Sequence, residues 1–324
     1  MKSIQGFMLI GILLALGACS PAEVTPEQTI MPVGTTSESP AASEANLVTP
    51  YPVPIEAFSS TPTSPAIRLT ETNSDVQAVA TSLPPALTIT IIYDNNVYDQ
   101  KLSSAWGFSA LVEYRDHTLL FDTGGDGQLL MENMRILGID PTRIDSVMLS
   151  HAHDDHTGGL TALLNSGVEP IVYLLPSFPS AFKRQIEQST QINEVFPGQS
   201  FAEGLWTTGE MGTTIPEQAL VIQTEQGLVV ITGCAHPGIV AIVEQAAAMF
   251  TEPIRLVLGG FHLGSKSETE INAILADFRY LEVEQVAPCH CTGENAITMF
   301  AAEYGDDFIQ IGAGSIIRLD AGDR

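Results

Sequence analysis

The sequence predicts an α/β protein in which β-sheets are sandwiched between helices. Short apolar runs of strand length follow one another over residues 87–121. From residue 219 onward such runs alternate with segments of helical periodicity. Four histidine-bearing motifs each come directly after a predicted strand. One lies at residues 151–156, and the other three contain His236, His262 and His290. We therefore expect these motifs to gather on loops along one edge of the fold.

The individual elements follow from the spacing of the apolar residues. Apolar runs of strand length predict strands over residues 87–93, 109–114, 117–121, 146–149, 219–222, 228–231, 254–258, 286–287, 308–311 and 315–319. Apolar positions at helical spacing predict helices over residues 129–137, 239–250, 268–281 and 294–304, and the first of these stops at Gly138. These elements predict one catalytic domain over residues 87–324.

Residues 1–19 have the pattern of a secretory signal, because Lys2 precedes an apolar stretch too short for a comfortable membrane span. The stretch ends in Leu16-Gly17-Ala18-Cys19, which resembles a bacterial lipobox and implies that Cys19 is lipidated. We expect an exported protein anchored at the cell envelope. The anchor would lie at the outer membrane or periplasmic face in a host with two membranes, and otherwise at the outer face of the cell membrane. The alternative is an ordinary signal peptide with an incidental cysteine.

Residues 20–86 differ in composition from the rest of the chain. Eleven of the 20 prolines fall here, among many Ser, Thr, Ala and Glu residues, and no helical or strand period persists. Such a segment cannot bury enough apolar surface to offset its chain entropy. We interpret it as a disordered tether between the anchor and the catalytic domain. The alternative is a small proline-rich domain.

The net charge of −25 at pH 7 argues against a nucleic-acid partner, because phosphate-binding surfaces need Lys and Arg. It also disfavours contact with anionic lipid except through the lipid on Cys19. The expected partners are a small-molecule substrate and the membrane, and the sequence does not indicate an oligomeric state. Of the 4 cysteines, Cys234, Cys289 and Cys291 remain once Cys19 is assigned to lipid. A disulfide from Cys234 to one of the other two is an alternative to a metal-binding role for Cys234.

The most informative motif is His151-Ala152-His153-Asp154-Asp155-His156, which follows the apolar run at residues 146–149. His151 and His153 can converge on one metal ion, while Asp155 and His156 turn toward a second ion close by. Imidazole nitrogen and carboxylate oxygen are the ligands that zinc and related metals prefer. The alternative is a solvated loop. Of the 7 histidines, His117 alone lies outside a recognisable motif.

Several further strings resemble the metallo-β-lactamase superfamily, whose fold is an αββα sandwich of two mixed sheets. They are Trp106-Gly107-Phe108-Ser109, Phe121-Asp122-Thr123-Gly124, Thr232-Gly233-Cys234-Ala235-His236, Gly259-Gly260-Phe261-His262 and Pro288-Cys289-His290-Cys291. Within that superfamily the chain is similar to the dihydropterin–aminobenzene ribose phosphate synthase branch of methanopterin biosynthesis. The resemblance covers most of residues 87–324.

This resemblance implies a set of metal ligands. The first ion would take His151, His153 and His236, and the second would take Asp155, His156 and His290. Cys234 would be a thiolate ligand, and its alternative is a small buried residue. We expect two zinc ions, with manganese or iron as alternatives.

The resemblance also implies residues around the metals. Asp122 would orient the motif loop by hydrogen bonding. Glu210 would be a ligand, a nearby catalytic carboxylate or simply a turn residue. His262 would bind metal or substrate, with the substrate-facing role favoured. Trp106 would line the cleft or belong to the core, and Asn95 and Asn96 would line the cleft.

We expect a metal-dependent hydrolase that uses metal-activated water on an ester-, phosphoester- or lactone-like small molecule. Asp155, Glu210 and His262 are the candidate catalytic side chains. A transferase similar to the synthase branch is one alternative, although its intermediates are cytosolic and this chain carries an export signal. A non-catalytic metal-site lipoprotein is a second alternative, and a diiron redox enzyme is a third. The short segment between residues 173 and 220 predicts an open cleft.

Overall fold

The structure is a computed structural model that describes residues 87–320 of the chain. The predicted signal segment, Cys19 and the tether lie outside the described residues, so these expectations stay predictions. Among residues 87–320, no helix combines the length and apolar character needed to cross a membrane.

Strands and helices alternate through most of the described chain. The strands are β1 (Leu87–Tyr93), β2 (Ser109–Tyr114), β3 (His117–Phe121), β4 (Ser146–Met148), β5 (Ile171–Leu174), β6 (Ile192–Glu194), β7 (Ser200–Ala202), β8 (Leu205–Thr207), β9 (Leu220–Thr224), β10 (Gly227–Thr232), β11 (Ile254–Gly260), β12 (Gln285–Cys289) and β13 (Ile316–Leu319). The α-helices are α1 (Gly127–Leu137), α2 (Asp154–Thr157), α3 (Leu160–Asn165), α4 (Ser180–Ile186), α5 (Ile239–Met249), α6 (Glu268–Tyr280) and α7 (Glu294–Tyr304).

The strands form two mixed sheets. The first has the order β13-β1-β2-β3-β4-β5-β6, and the second has the order β12-β11-β10-β9-β8-β7. In the first sheet β3, β4, β5 and β6 are parallel neighbours, while β13, β1, β2 and β3 pair antiparallel. In the second sheet β10, β11 and β12 are parallel neighbours. The predicted class of two mixed sheets with flanking helices is confirmed.

Alternate residues of the second sheet pack into two different hydrophobic cores, one on each face of the sheet. Successive side chains in a strand point to opposite faces. Leu220, Ile222 and Ile231 belong to the core shared with the first sheet. Val221 and Val230 instead belong to a second core, which contains apolar residues of α5, α6 and α7. The second sheet is therefore apolar on both faces, between the first sheet and a helical layer.

The sequence predicted β1, β2, β3 and α7 with the bounds that the structure shows. The predicted strand over residues 308–311 is wrong. Phe308 makes a single bridge to Val286, and the chain then continues until Ala313 forms a bridge with Val97. Between residues 171 and 207 the structure contains β5, α4, β6, β7 and β8, none of which the apolar pattern predicted.

Candidate metal centre

Four strand ends bring the predicted ligands together. The motif loop follows β4, and Cys234, His262 and His290 follow β10, β11 and β12, respectively. Since β10, β11 and β12 are parallel neighbours, their carboxyl ends lie at one edge of the second sheet. The local sequence places each ligand on its loop, and the sheet order brings the loops together.

His151, His153 and His236 form a first group of potential ligands, whose ligand atoms all lie within 4.8 Å of one another. The three rings meet edge to face, with centroids 4.7–4.9 Å apart. Burial, followed by the neighbouring His262 and His153 rings, lowers the pKa of His236 to about 4. Burial and the surrounding imidazoles also lower the pKa of His151. Both rings are therefore neutral near pH 7, which is the form that binds metals.

Asp155, His156, Cys234 and His290 form a second group with ligand atoms equally close together. The Asp155 Oδ2 atom lies 3.3 Å from His290 Nε2 and 3.5 Å from His156 Nε2. The Cys234 sulfur lies 3.3 Å from His156 Nε2. Burial alone would raise the pKa of Asp155, but the His290 and His156 rings hold it below its usual value. The Asp155 carboxylate is therefore ionised at neutral pH.

Asp122 holds the motif loop from behind. Its Oδ1 accepts the Ser150 backbone N–H at 2.7 Å, and its Oδ2 contacts both the Ser150 hydroxyl and His156 Nδ1 at 2.7 Å. The side chain is fully buried. With Nδ1 of His156 bound to Asp122, Nε2 faces the second group, which is the arrangement that fixes a ligand imidazole.

Asp94 and Asn95 hold His290 in a similar way. The Asp94 Oδ2 accepts the His290 backbone N–H at 3.1 Å, and the Asn95 Oδ1 contacts His290 Nδ1 at 3.0 Å. Asn95 Nδ2 also donates to the His290 carbonyl at 3.2 Å. Asn95 therefore orients the ring of a potential ligand, a more specific position than the cleft wall that the sequence predicted. Asn96 is exposed, and its side chain donates to Asp94.

Glu217 is the site residue that the sequence reasoning missed. Its buried carboxylate accepts three backbone N–H groups, those of Cys234, Ala235 and His236, each at 2.8 Å. Glu217 lies in an irregular loop before β9, far in sequence from the motif histidines. No local pattern marks it, because a single acidic residue shortly before a strand is most often a solvent-exposed residue.

Two of the predicted catalytic residues, Glu210 and His262, lie outside the first and second groups of potential ligands. Among the described residues, Glu210 belongs to none of the potential ligand groups; it is exposed, and its Oε2 accepts the Ser177 N–H at 3.1 Å. His262 is also exposed, and its ring lies 4.5 Å from that of His236. His262 belongs to a third group with Cys234 and Cys291. All three cysteines of the described chain are free, so the disulfide alternative for Cys234 is not formed.

Trp106 lies at the mouth of the second group. Its ring centroid is 4.9 Å from that of His290, and 59% of its surface is exposed. The core alternative for Trp106 is therefore wrong. The next residue, Gly107, has φ of 140°, and a Cβ there would lie 2.5 Å from the Asp155 carbonyl oxygen. Glycine at this position lets the Trp106 loop pack directly against the motif loop.

Backbone strain is concentrated around the two groups. Four of the non-glycine residues with positive φ surround them, namely Asp122, Ala235, His262 and His290, at φ between 50° and 59°. Non-glycine residues adopt this conformation at a cost, and such residues cluster at functional sites. Here the strained residues carry, adjoin or orient potential ligands.

The residues fit a pair of metal ions. Nε2 of His236 and Nε2 of His290 are buried and make no hydrogen bond of good geometry, although the Asp155 Oδ2 atom of the second group lies 3.3 Å from the latter. His236 belongs to the first group and His290 to the second. A buried unsatisfied nitrogen is costly unless something binds it. The donor set of imidazoles, one carboxylate and one thiol is that of zinc and related transition metals.

Comparison with known proteins identifies the family of the chain. Residues 107–247 match the family described as the metallo-beta-lactamase superfamily. The chain is 28% identical over 286 residues to the 7,8-dihydropterin-6-methyl-4-(beta-D-ribofuranosyl)-aminobenzene-5'-phosphate synthase of Methanocaldococcus jannaschii, covering 71% of this chain and 95% of that protein.

Two solved structures share the fold. One, described as a metal-dependent hydrolase of the beta-lactamase superfamily, is 30% identical with a TM-score of 0.62, and the match covers 72% of this chain and 99% of that one. The other, the metallo-beta-lactamase fold protein YhfI from Bacillus subtilis, is 15% identical with a TM-score of 0.56, with the same coverage. On the fold, the ligand motifs and these similarities, the chain belongs to the metallo-β-lactamase superfamily.

Proposed function

We propose that the protein is a metal-dependent hydrolase of a small molecule with an ester-, phosphoester- or lactone-like bond. One observation carries the proposal. Two adjacent groups of potential ligands share one loop, and each contains a buried imidazole nitrogen that makes no hydrogen bond of good geometry. The superfamily relative described as a metal-dependent hydrolase supports the same conclusion.

His151, His153 and His236 would hold the first ion, and Asp155, His156, Cys234 and His290 would hold the second. Divalent ions at such sites activate water near neutral pH and polarise a carbonyl or phosphoryl oxygen. Zinc is the proposed metal, because the ligand set includes a thiol, and manganese or iron are the alternatives.

The protein's own residues position the reaction. Asp155 is about one-fifth exposed and ionised, so it can accept a hydrogen bond from the attacking water at the mouth of the second group. Asp122 and Asn95 keep the rings of His156 and His290 turned toward that point. The step in which water attacks the substrate would therefore depend on side chains that are already fixed before the substrate binds.

The non-reacting part of the substrate has two places to bind. Trp106 offers an exposed ring beside His290. A cavity of about 570 Å³ adjoins His236 and His262 and is lined mostly by apolar side chains, among them Ile239 and Phe261. These surfaces suit a substrate with an apolar or aromatic portion. Glu210 belongs to none of the potential ligand groups of the described residues, and its carboxylate accepts the Ser177 N–H, so we assign it no catalytic role.

A second candidate is transferase chemistry like that of the archaeal synthase, and the similarity over 95% of that protein favours it. The two candidates differ in what attacks the substrate. A hydrolase uses water, whereas a transferase needs a second organic substrate to release product.

The test is metal removal and restoration on the full-length protein. The protein is treated with a chelator, its metal content is measured, and turnover is followed on phosphodiester, lactone and ester chromogenic substrates. We expect turnover to disappear with the metal and to return with added zinc or manganese. His151→Ala should lose metal and turnover, and His117→Ala should keep both. Two bound metals without turnover on any water-dependent substrate would favour the transferase.

We also propose that the chain is exported and lipid-anchored through Cys19. The lipobox-like string Leu16-Gly17-Ala18-Cys19 supports this. Metabolic labelling with a radioactive fatty acid should mark the wild-type protein and leave Cys19→Ala unlabelled. Label in both proteins, or in neither, would contradict the anchor.

A further inference from the structure

Cys234, His262 and Cys291 converge from three different loops. Cys234 follows β10, His262 follows β11, and Cys291 lies in the 3-10 helix His290–Thr292 after β12. One ligand atom from each lies within 4.8 Å of the others. Zinc–sulfur and zinc–nitrogen bonds of about 2.3 and 2.0 Å set tetrahedral ligand separations of roughly 3.5 Å, so only small side-chain movements would bring the three onto one ion.

The surrounding backbone is built to bring these side chains close together. His262 has φ of 54°, in the left-handed region. A Cβ on Gly260 would lie 2.7 Å from the Cys291 sulfur and 2.4 Å from the Gly233 carbonyl oxygen, so only glycine allows Cys291 to approach here. The two cysteines are buried, whereas His262 reaches the surface.

Cys289 provides a contrast within the same short segment. Its buried thiol contacts the Asp94 carboxyl group, and burial raises its pKa. Among the described residues, Cys289 belongs to none of the potential ligand groups. A cysteine near the ligand loops therefore does not by that alone belong to a potential ligand group. Cys291 differs from Cys289 because it lies close to His262 and Cys234.

We propose that Cys234, His262 and Cys291 form a third metal site, which takes a thiophilic divalent ion such as zinc. Thiolate and imidazole ligands select zinc-like ions over magnesium or calcium. Cys234 belongs to both the second and third groups, so its sulfur would bridge the two ions. Three protein ligands leave one coordination position open, on the side where His262 meets solvent.

The third site would share Cys234 with the second ion, but its test is separate from that of the hydrolase proposal, because it counts bound metal and sulfur ligation and does not measure turnover. The probe is cadmium, whose bonds to thiolates absorb in the ultraviolet. The full-length protein is reduced, stripped of metal and titrated with cadmium, and bound metal per chain is measured by elemental analysis. Cys291→Ser and His262→Ala test the site, and Cys289→Ser and His117→Ala are the matched controls.

We expect Cys291→Ser and His262→Ala each to bind one cadmium ion fewer than the wild type. The thiolate–cadmium absorption of Cys291→Ser should fall by about threefold, since loss of the third ion removes two of the three cadmium–sulfur bonds, those of Cys291 and Cys234 to that ion. Both controls should match the wild type in bound metal. If Cys291→Ser fails to fold, His262→Ala still decides, because His262 is exposed. Wild-type cadmium binding by folded His262→Ala or Cys291→Ser would overturn the third site.

Discussion

Glu217 and His236 are joined through the backbone, because the Glu217 Oε2 accepts the His236 N–H at 2.8 Å. Its Oε1 accepts the N–H groups of Cys234 and Ala235 at the same distance. Glu217 is completely buried, and burial raises its pKa although the three N–H groups oppose that change. One carboxyl group therefore fixes the loop that contains His236, a potential ligand of the first group, and Cys234, a potential ligand of the second.

Replacing Glu217 with alanine should destabilise the protein and weaken metal binding. The change leaves three buried N–H donors without an acceptor, at about 1–3 kcal/mol each if water cannot reach them. We expect the free energy of unfolding to fall by about 3 kcal/mol or more, together with a lower metal content. Chemical denaturation and elemental analysis measure the two effects.

Glu210→Ala is the matched control for this change, because Glu210 is an exposed carboxylate. We expect its free energy of unfolding to stay within about 0.5 kcal/mol of the wild-type value. Equal stability and metal content in Glu217→Ala and Glu210→Ala would show that the Glu217 hydrogen bonds do not support the loop.

Replacing Asn95 with alanine should loosen the second ion. Asn95 fixes the His290 ring through Nδ1, and loss of such an outer hydrogen bond typically costs about 10–100-fold in metal affinity. We expect that loss for the ion held by the second group, to which His290 belongs, with little change in thermal stability. Competition against a chromophoric chelator measures the affinity. Asn96→Ala, which removes an exposed side chain that does not contact His290, should change it far less.

Gly107→Ala should damage the centre, whereas Gly138→Ala should not. Both glycines have positive φ, but a Cβ at Gly107 meets the Asp155 carbonyl oxygen at 2.5 Å, and one at Gly138 meets nothing within 4 Å. We expect Gly138→Ala to cost about 1 kcal/mol of unfolding free energy through backbone strain alone. Gly107→Ala should cost more and also release metal, because the Asp155 loop must move.

Thermal unfolding and metal analysis of the two glycine variants make the comparison. If Gly107→Ala kept its metal and matched Gly138→Ala in stability, the close packing of the Trp106 loop on the Asp155 loop would have no role in metal binding.

Trp106→Ala should affect substrate binding rather than folding. The ring is mostly exposed but lies against His290, so its removal should leave unfolding free energy and metal content nearly unchanged. Loss of an aromatic contact worth about 0.5–1.5 kcal/mol should raise KM by roughly 2–10-fold for a substrate that stacks on it. Steady-state kinetics give KM and kcat. Tyr280→Ala, an exposed aromatic on α6, is the control and should leave KM unchanged.

The local sequence correctly predicted the elements that have strong periodic patterns. Its predictions were wrong or missing where strand pairing depends on residues distant in the sequence. β1, β2, β3 and α7 have the predicted bounds. Residues 308–311 have the apolar character of a strand, yet Phe308 forms only one bridge before the chain leaves the sheet edge. The short strands β6, β7 and β8 escaped prediction because each has only three residues and, unlike the equally short β4, none is buried along its whole length.

The sequence alone was enough to identify most of the potential ligands and the strands that precede them, because HxHxDH and the later histidine strings are local patterns. Tertiary structure decided which ligands meet and what holds them. Asp94 reaches His290 across 196 positions of the chain, and Cys234 reaches His156 across 78. Neither the support by Glu217 nor the grouping of Cys234, His262 and Cys291 leaves a local trace. Such contacts exist only once two sheets and their parallel strand ends have been packed together.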